Sequence, residues 1–190
     1  MKKKIQMVTT AARLFATQCY DATTTAQIAK EAGVTEPLIY YHFKGKEEMF
    51  HHVQENAFQE YLNRLERLPA DTPTQIQKVE NLIDMHYDMF HEKPVEVHLI
   101  VNACPNQLRD GKSTAAGHIL KQKSVLRRYL KEAIKKGVDT GEFRDVPPTA
   151  TADLIITLLN GELRRTGLGI QNIRGMRNAT VMLCTNALVK

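Results

Sequence analysis

Side chains that can hydrogen-bond to DNA are concentrated in residues 24–46, TTAQIAKEAGVTEPLIYYHFKGK. Hydroxyl groups, aromatic rings with polar tips and lysines recur there within a few residues of one another. Such groups donate to phosphate oxygens and to the base edges in a DNA groove. The stretch therefore indicates a DNA-contacting surface, and its local signals must explain how the side chains are positioned.

Two short helices with a turn between them are predicted in this stretch. Thr24 is a good N-cap, and Gln27 completes a capping-box pattern for a helix over roughly Thr25–Ala32. Gly33 supplies the positive φ with which many helices end. Thr35 is the predicted N-cap of the second helix.

The second helix tolerates Pro37 in its first turn, where the backbone N–H groups have no intrahelical partner. Apolar residues are spaced so that both helices share one small core: Ile28, Ala29, Val34, Ile39 and Phe43. The remaining positions of the second helix carry Glu36, Leu38, Tyr40, Tyr41 and His42. This pattern predicts a helix-turn-helix whose second helix lies in a major groove.

Composition narrows the class of protein. The chain has 190 residues, 43% of them hydrophobic, and a net charge of +5. A basic chain favours an anionic partner without requiring one. Cys19, Cys104 and Cys184 are too few and too scattered for a disulfide framework, which favours a reducing cytoplasm. No apolar run approaches about 18 residues, so no membrane span is expected.

Helical periodicity runs through the whole chain and strand alternation is nearly absent, which predicts an all-α fold of about nine helices. The best candidate boundary is LPADTP (68–73), with two prolines. Beyond it, Thr72, Pro73 and Gln75 are predicted to be the N-cap, first position and capping box of a further helix.

The chain resembles the TetR family of bacterial transcriptional regulators. The residues that carry the resemblance are AARLF (11–15), Tyr20, TT (24–25), IA (28–29), AGV (32–34), Ile39, Tyr40, His42, Phe43, Lys46 and Glu47. The resemblance implies a homodimer, a DNA-binding domain over 1–46 and a ligand-binding and dimerisation domain over 47–190. A helix over about 46–68 would connect the two domains. Cys19 departs from the family, which usually has glycine before the aromatic residue. A left-handed backbone would cost cysteine about 1–2 kcal/mol there, and a slightly different shape at the end of the first helix is the favoured interpretation.

The resemblance also implies which residues contact DNA. The predicted contacts are Thr24, Thr25, Thr35, Glu36, Pro37, Leu38, Tyr40, Tyr41, His42, Lys44 and Lys46. Tyr40 could instead anchor the second helix in the core, and Glu36 could only complement the helix dipole. The lysines at positions 2–4 could form an arm that reaches DNA, but a solvated, disordered tail is the favoured interpretation.

A small-molecule pocket is the second implication of the resemblance. Its candidate lining residues are His86, Tyr87, Phe90, His98, Asn102, Tyr129 and Asn160, whose mixed aromatic and polar character suits a ligand site. Any one of them could equally be ordinary core or surface. His86 and His91 are five residues apart without a nearby cysteine or carboxylate, so we predict neither a metal site nor a cofactor.

Apolar stripes on the last two helices suit an intersubunit four-helix bundle, although they could equally form intramolecular core. The predicted dimer interface comprises Leu154, Ile155, Leu158, Leu159, Ile173, Met176 and Leu183.

The predicted function is a cytoplasmic, ligand-responsive repressor that leaves a palindromic double-stranded DNA operator when a small hydrophobic or aromatic inducer binds. The alternatives are an activator of the same fold and a helical interaction module without DNA binding. An enzyme is not expected, because no nucleophile elbow, phosphate loop or paired-carboxylate motif accompanies Cys104 or Cys184.

Overall fold

The predicted all-α fold is confirmed. The computed structural model describes residues 2–69, 72–101, 114–167 and 175–190, and these ranges contain nine helices and no strand. The helices are α1 (Lys2–Ala22), α2 (Thr25–Glu31), α3 (Glu36–His42), α4 (Lys46–Glu66), α5 (Gln75–Glu92), α6 (Pro94–Val101), α7 (Thr114–Asp139), α8 (Pro148–Gly167) and α9 (Met176–Leu188). None of these described helices is long and apolar enough to span a bilayer.

The first of two compact units comprises α1, α2, α3, the part of α4 up to Tyr61, and α6. Its core is aromatic at the centre, where the rings of Phe15 and Phe50 meet edge to face at 5.1 Å. Both rings are fully buried. The side-chain amide of Gln54 on α4 donates to the carbonyl of Leu99 at 3.2 Å, which ties α6 to this unit.

The second unit comprises residues 62–92 and the described residues from His118 onward. Here α5 packs against α8 and α9. The ring of Phe143 lies so close to Gly137 that a Cβ at that position would stand 2.3 Å from the ring. Glycine at this point of α7 therefore lets the following loop fold back onto the helix.

The start of α5 differs from the sequence-based expectation. Thr74, rather than Thr72, occupies the capping position, and its hydroxyl accepts from the backbone N–H of Gln77 at 3.3 Å. The carboxylate of Glu142 accepts from the backbone N–H groups of Gln75 at 2.8 Å and Ile76 at 2.7 Å. The prediction failed because a carboxylate 66 residues further along the chain than Ile76 satisfies the N–H groups that a local capping box would have served.

We expect Glu142→Ala to lower the free energy of unfolding by about 1–3 kcal/mol, since two charge-assisted hydrogen bonds at the positive end of α5 are lost. Denaturant unfolding at neutral pH measures the change. The matched control is Glu132→Ala, which removes an exposed carboxylate from α7. Equal stabilities of the two variants would show that the Glu142 cap contributes nothing.

Candidate DNA-binding interface

The turn between α2 and α3 forms largely as its residues predict. The Thr24 hydroxyl accepts from the backbone N–H of Gln27 at 3.1 Å, and Gly33 ends α2 with φ at +64°. The reciprocal half of the capping box is absent, because the Gln27 side chain donates instead to Gln18 and Glu31. Thr35 lies at the N-cap of α3 without a side-chain capping bond.

Burial of one face of α3 leaves its other face in solvent. Ile39 is fully buried, and Phe43 at the C-cap is 4% exposed. Tyr40 is 53% exposed and Tyr41 is 81% exposed, values that are unusual for such large apolar rings. About half of Tyr40 is therefore accessible to a partner, and any contribution of its ring to anchoring α3 is partial.

Three predicted contact residues are brought together across the turn. The Thr25 hydroxyl donates to the carboxylate of Glu36 at 2.6 Å and lies 3.4 Å from the hydroxyl of Tyr40. Glu36 thus does more than complement the helix dipole, because it holds the first turn of α2 against the first turn of α3. One surface accordingly carries a hydroxyl from each helix beside a carboxylate.

Lys46 is the first residue of α4, as expected, but its ammonium group also has a role within the protein. Its Nζ donates to the backbone carbonyl of Tyr20 at 2.9 Å and lies 4.2 Å from the centroid of the Tyr20 ring. An ammonium group has three N–H donors, so the carbonyl leaves further donors for a phosphate. The residue therefore joins the end of α1 to the start of α4 while remaining only half-buried.

The other predicted contacts occupy the same two helices and the adjoining turn. Thr24, Thr35, Pro37 and Lys44 are exposed, and His42 is half-buried with its ring edge-on to Tyr41. Leu38 packs partly against the core, which limits its reach towards a thymine methyl group. The backbone N–H of Lys44 donates to Glu48, so this turn is closed by a carboxylate from α4.

Several contacts in this unit escaped the sequence analysis. Arg13 of α1 forms an ion pair with Glu31 of α2. The residues at positions 2–4 are the first turn of α1 rather than a disordered tail, and the Nζ of Lys4 lies 5.6 Å from the centroid of the Phe43 ring. No local pattern predicts such contacts, because their partners belong to different helices.

Cys19 keeps the backbone conformation that glycine would favour, with φ at 66° and ψ at 168°. This region of φ and ψ is essentially confined to glycine. The expectation that α1 would end differently to accommodate cysteine is therefore wrong. The helix is kinked at Cys19, and the hydrogen bond from Lys46 to Tyr20 lies directly beyond the kink.

Comparison with known proteins identifies the unit that carries this surface. Residues 8–53 match the family described as bacterial regulatory proteins, tetR family. The HTH-type transcriptional regulator YfiR of Bacillus subtilis is 25% identical over 159 residues, which are 79% of this chain and 72% of that protein. Residues 8–53 are thereby identified as a DNA-binding domain of the TetR family. The proteins that the chain resembles are transcriptional regulators rather than enzymes, in agreement with the sequence-based expectation.

Two further similarities extend beyond the DNA-binding unit. The IcaR protein of Staphylococcus epidermidis, a negative regulator of the biofilm operon icaADBC, is 28% identical over 108 residues, 57% of each chain. The fold matches that of FadR from Bacillus subtilis, solved with stearoyl-CoA, with a TM-score of 0.79 and 18% identity. That similarity covers 97% of this chain and 98% of FadR.

The candidate ligand residues are distributed over both units. His98 lies on α6 in the first unit, while α5, α7 and α8 of the second unit carry the other described candidates. Phe90, Tyr129 and Asn160 are half-buried. Asn102 lies outside the described residues.

Two of the ligand candidates are held in the core by polar contacts. Burial lowers the pKa of His86 to about 4, against a smaller opposing effect of its hydrogen bond to the backbone of Leu159. The Tyr87 hydroxyl donates to Glu162 on α8 and lies 3.0 Å from the Thr180 hydroxyl on α9. Both side chains thus bind α5 to its neighbours in the second unit.

The predicted dimer residues differ in how far the protomer buries them. Ile155 and Leu159 are 5% and 1% exposed, so they belong to the core of the protomer and their assignment to the dimer surface is corrected. Leu154 on α8 is 70% exposed and Leu183 on α9 is 59% exposed. Leu158 and Met176 are half-buried, and Ile173 lies outside the described residues.

We expect Cys19→Gly to stabilise the protein by about 1 kcal/mol. Relief of the strained backbone outweighs the larger conformational entropy that glycine brings to the unfolded chain. The control is Thr9→Gly, at an exposed position of α1, which should cost about 0.5–1 kcal/mol through helix propensity. Denaturant unfolding measures the change. A loss of stability in Cys19→Gly would show that the backbone at Cys19 is not strained.

Proposed function

We propose that this chain is a repressor that binds a palindromic operator as a homodimer and leaves it when a hydrophobic small molecule binds. The observation that carries the proposal is the presentation of α3, which buries Ile39 while exposing Tyr40 and Tyr41. Burying one face of a seven-residue helix fixes its orientation, and the exposed face is then held rigidly for insertion into a major groove.

The proposed role of each contact residue follows from the hydrogen-bonding group that it carries. Tyr40 and Lys46 donate to phosphates and set the register of the protein on DNA, and His42 adds a donor at the end of α3. The Thr25 hydroxyl is donated to Glu36 and positions that carboxylate on the contact surface. Glu36 accepts from a cytosine amino group with the carboxylate oxygen that Thr25 does not engage. Thr24, Thr35, Pro37, Leu38, Tyr41 and Lys44 complete the contact surface.

Dimerisation through α8 and α9 is supported by the solvent exposure of apolar side chains on those helices. Leu154, Met182 and Leu183 are each more than half exposed in the protomer. Covering them with the same face of a second copy would remove apolar area from water and give a two-fold symmetric dimer. Its two recognition helices would then lie about 34–36 Å apart, which matches a palindrome.

The ligand class is supported by one relative and by one feature of the second unit. The structure of FadR from Bacillus subtilis contains stearoyl-CoA. The Tyr129 hydroxyl on α7 is buried and has no hydrogen-bond partner among the described residues. A buried hydroxyl without a partner is costly, and a polar group of a ligand would remove that cost. We infer that the ligand is an acyl thioester or a similar amphipathic molecule, and that the candidate residues of α5, α7 and α8 line its pocket.

Release of DNA follows from the thermodynamic linkage between ligand binding and operator binding. A ligand that favours a protomer conformation with a different spacing of recognition helices weakens operator binding by its differential affinity for the two states. Helix α4 is suited to transmit the change, because it begins at Lys46 beside the contact surface and continues to Glu66. Similarity to IcaR, which is a negative transcriptional regulator, supports repression over activation.

Selection from random duplexes with the purified protein tests DNA recognition. We expect an enriched palindrome, and Tyr40→Phe should weaken its binding roughly 5- to 100-fold because one hydroxyl–phosphate hydrogen bond is lost at each half-site. Fluorescence anisotropy measures the affinity. Thermal unfolding serves as the control, since removing the hydroxyl of a half-exposed ring should leave stability unchanged.

Stearoyl-CoA is then added to the complex with the enriched duplex. Dissociation at a ligand concentration that leaves the protein folded would support the repressor and its ligand class. Failure to enrich any sequence would overturn the function, whereas enrichment without a response to the thioester would overturn only the ligand class.

Introducing negative charge into the proposed interface tests the dimer. We expect Leu154→Glu with Leu183→Glu to give a monomer by light scattering and to weaken binding to the full palindrome at least tenfold, since burial of unpaired charge in the interface is costly. The control is Thr149→Glu, which places the same charge at an exposed position in the first turn of α8. A dimer that survives the double substitution would place the interface elsewhere.

A further inference from the structure

The first turn of α1 carries three consecutive lysines, Lys2, Lys3 and Lys4, all exposed. We call them the N-terminal lysine cluster. The first turn holds no acidic residue, and the positive end of the helix dipole lies at the same place. Each of these charges therefore opposes helix formation, so the cluster is not explained by the stability of α1.

The cluster lies beside the end of the recognition helix. The Nζ of Lys4 is 5.6 Å from the centroid of the Phe43 ring, and Phe43 is the C-cap of α3. The same ring packs against His52 of α4 at 5.5 Å. Burial lowers the pKa of His52, and the charge of Lys4 lowers it further. The ammonium group of Lys4 in the first turn of α1 thus lies beside the end of α3 and near the His52 ring of α4.

The described part of the chain contains no ion pair that would neutralise the cluster. No salt bridge joins Lys2, Lys3 or Lys4 to an acidic side chain anywhere in the described ranges. The carboxylates of Glu48 and Glu55 raise the pKa of His52, whereas the charge of Lys4 lowers it. Glu48 already accepts from the backbone N–H of Lys44 at 2.5 Å.

We propose that the N-terminal lysine cluster binds DNA backbone phosphates that flank the bases read by α3. The proposal rests on the operator binding proposed above and adds a second contact surface outside the helix-turn-helix. Phosphates are the partner of matching chemistry, since the adjoining α3 is proposed to face DNA and lysine ammonium groups bind phosphates as point charges. Because phosphates are common to every sequence, the cluster contributes affinity and orientation but no base preference.

The salt dependence of binding tests the proposal quantitatively. Each phosphate contact contributes about 0.9 to the slope of log K against log salt concentration. We expect the triple variant Lys2→Gln, Lys3→Gln, Lys4→Gln to reduce that slope by about 1.8 to 5.4, which corresponds to one to three contacts from each protomer of the proposed dimer, equally on the enriched palindrome and on an unrelated duplex. Thermal stability should be unchanged or slightly raised, because three charges that oppose the helix dipole are removed.

A matched triple variant distinguishes direct phosphate contacts from a general effect of the protein's net charge. Arg128→Gln, Lys131→Gln and Lys136→Gln remove the same three charges from exposed positions of α7. We expect this control to keep the wild-type slope. An equal reduction in both triple variants would overturn the proposal in favour of long-range attraction, and an unchanged slope in the N-terminal variant would overturn it directly.

Lys4 needs a separate test, because its methylene chain could contribute by covering the Phe43 ring without any contact from its ammonium group to DNA. Lys4→Met keeps an unbranched apolar side chain over the ring and removes the ammonium group. We expect a slope reduced by about 1.8, one contact from each protomer, with unchanged thermal unfolding, and recovery of the slope in Lys4→Arg. A wild-type slope in Lys4→Met would leave Lys4 a packing residue. Wild-type protein that binds no duplex at all would instead show that the proposed function had failed.

Discussion

The aromatic core of the first unit is the constraint on which DNA binding depends. Helices α2 and α3 have seven residues each, and helices of that length are not stable in water on their own. Burial of Ile28 and Ile39 against Phe15 and Phe50 holds them in place. The exposed groups of α3 are therefore oriented by a core that they do not join, which lets the contact surface vary without loss of the fold.

The end of α1 combines strain and stabilisation at one point. Cys19 adopts a backbone conformation suited to glycine, and the carbonyl of the next residue accepts from Lys46. The hydrogen bond and the cation–π contact with Tyr20 offset part of the strain. The same ammonium group starts α4 and is proposed to meet a phosphate, so the geometry of the α1 end and the affinity for DNA are linked through one side chain.

The second unit is held together by polar contacts between distant segments as much as by its apolar core. Glu142 caps α5 from the loop after α7, and the hydroxyl of Tyr87 joins α5 to Glu162 on α8 and Thr180 on α9. Around them, Arg177 on α9 forms ion pairs with Asp84 and Asp88 on α5. These contacts fix α5 against α8 and α9, the helices that carry the exposed apolar side chains.

The sequence by itself determined the helices, the turn at Gly33, the Thr24 cap and the buried positions of the helix-turn-helix. All of these depend on contacts within a few residues, where spacing and backbone preference decide the outcome. Only the tertiary structure decided that Glu142 caps α5, that Lys46 meets Tyr20 and that the first turn of α1 adjoins Phe43. It also decided that Ile155 is core while Leu154 faces solvent, because periodicity shows which residues share a helix face but not what covers that face.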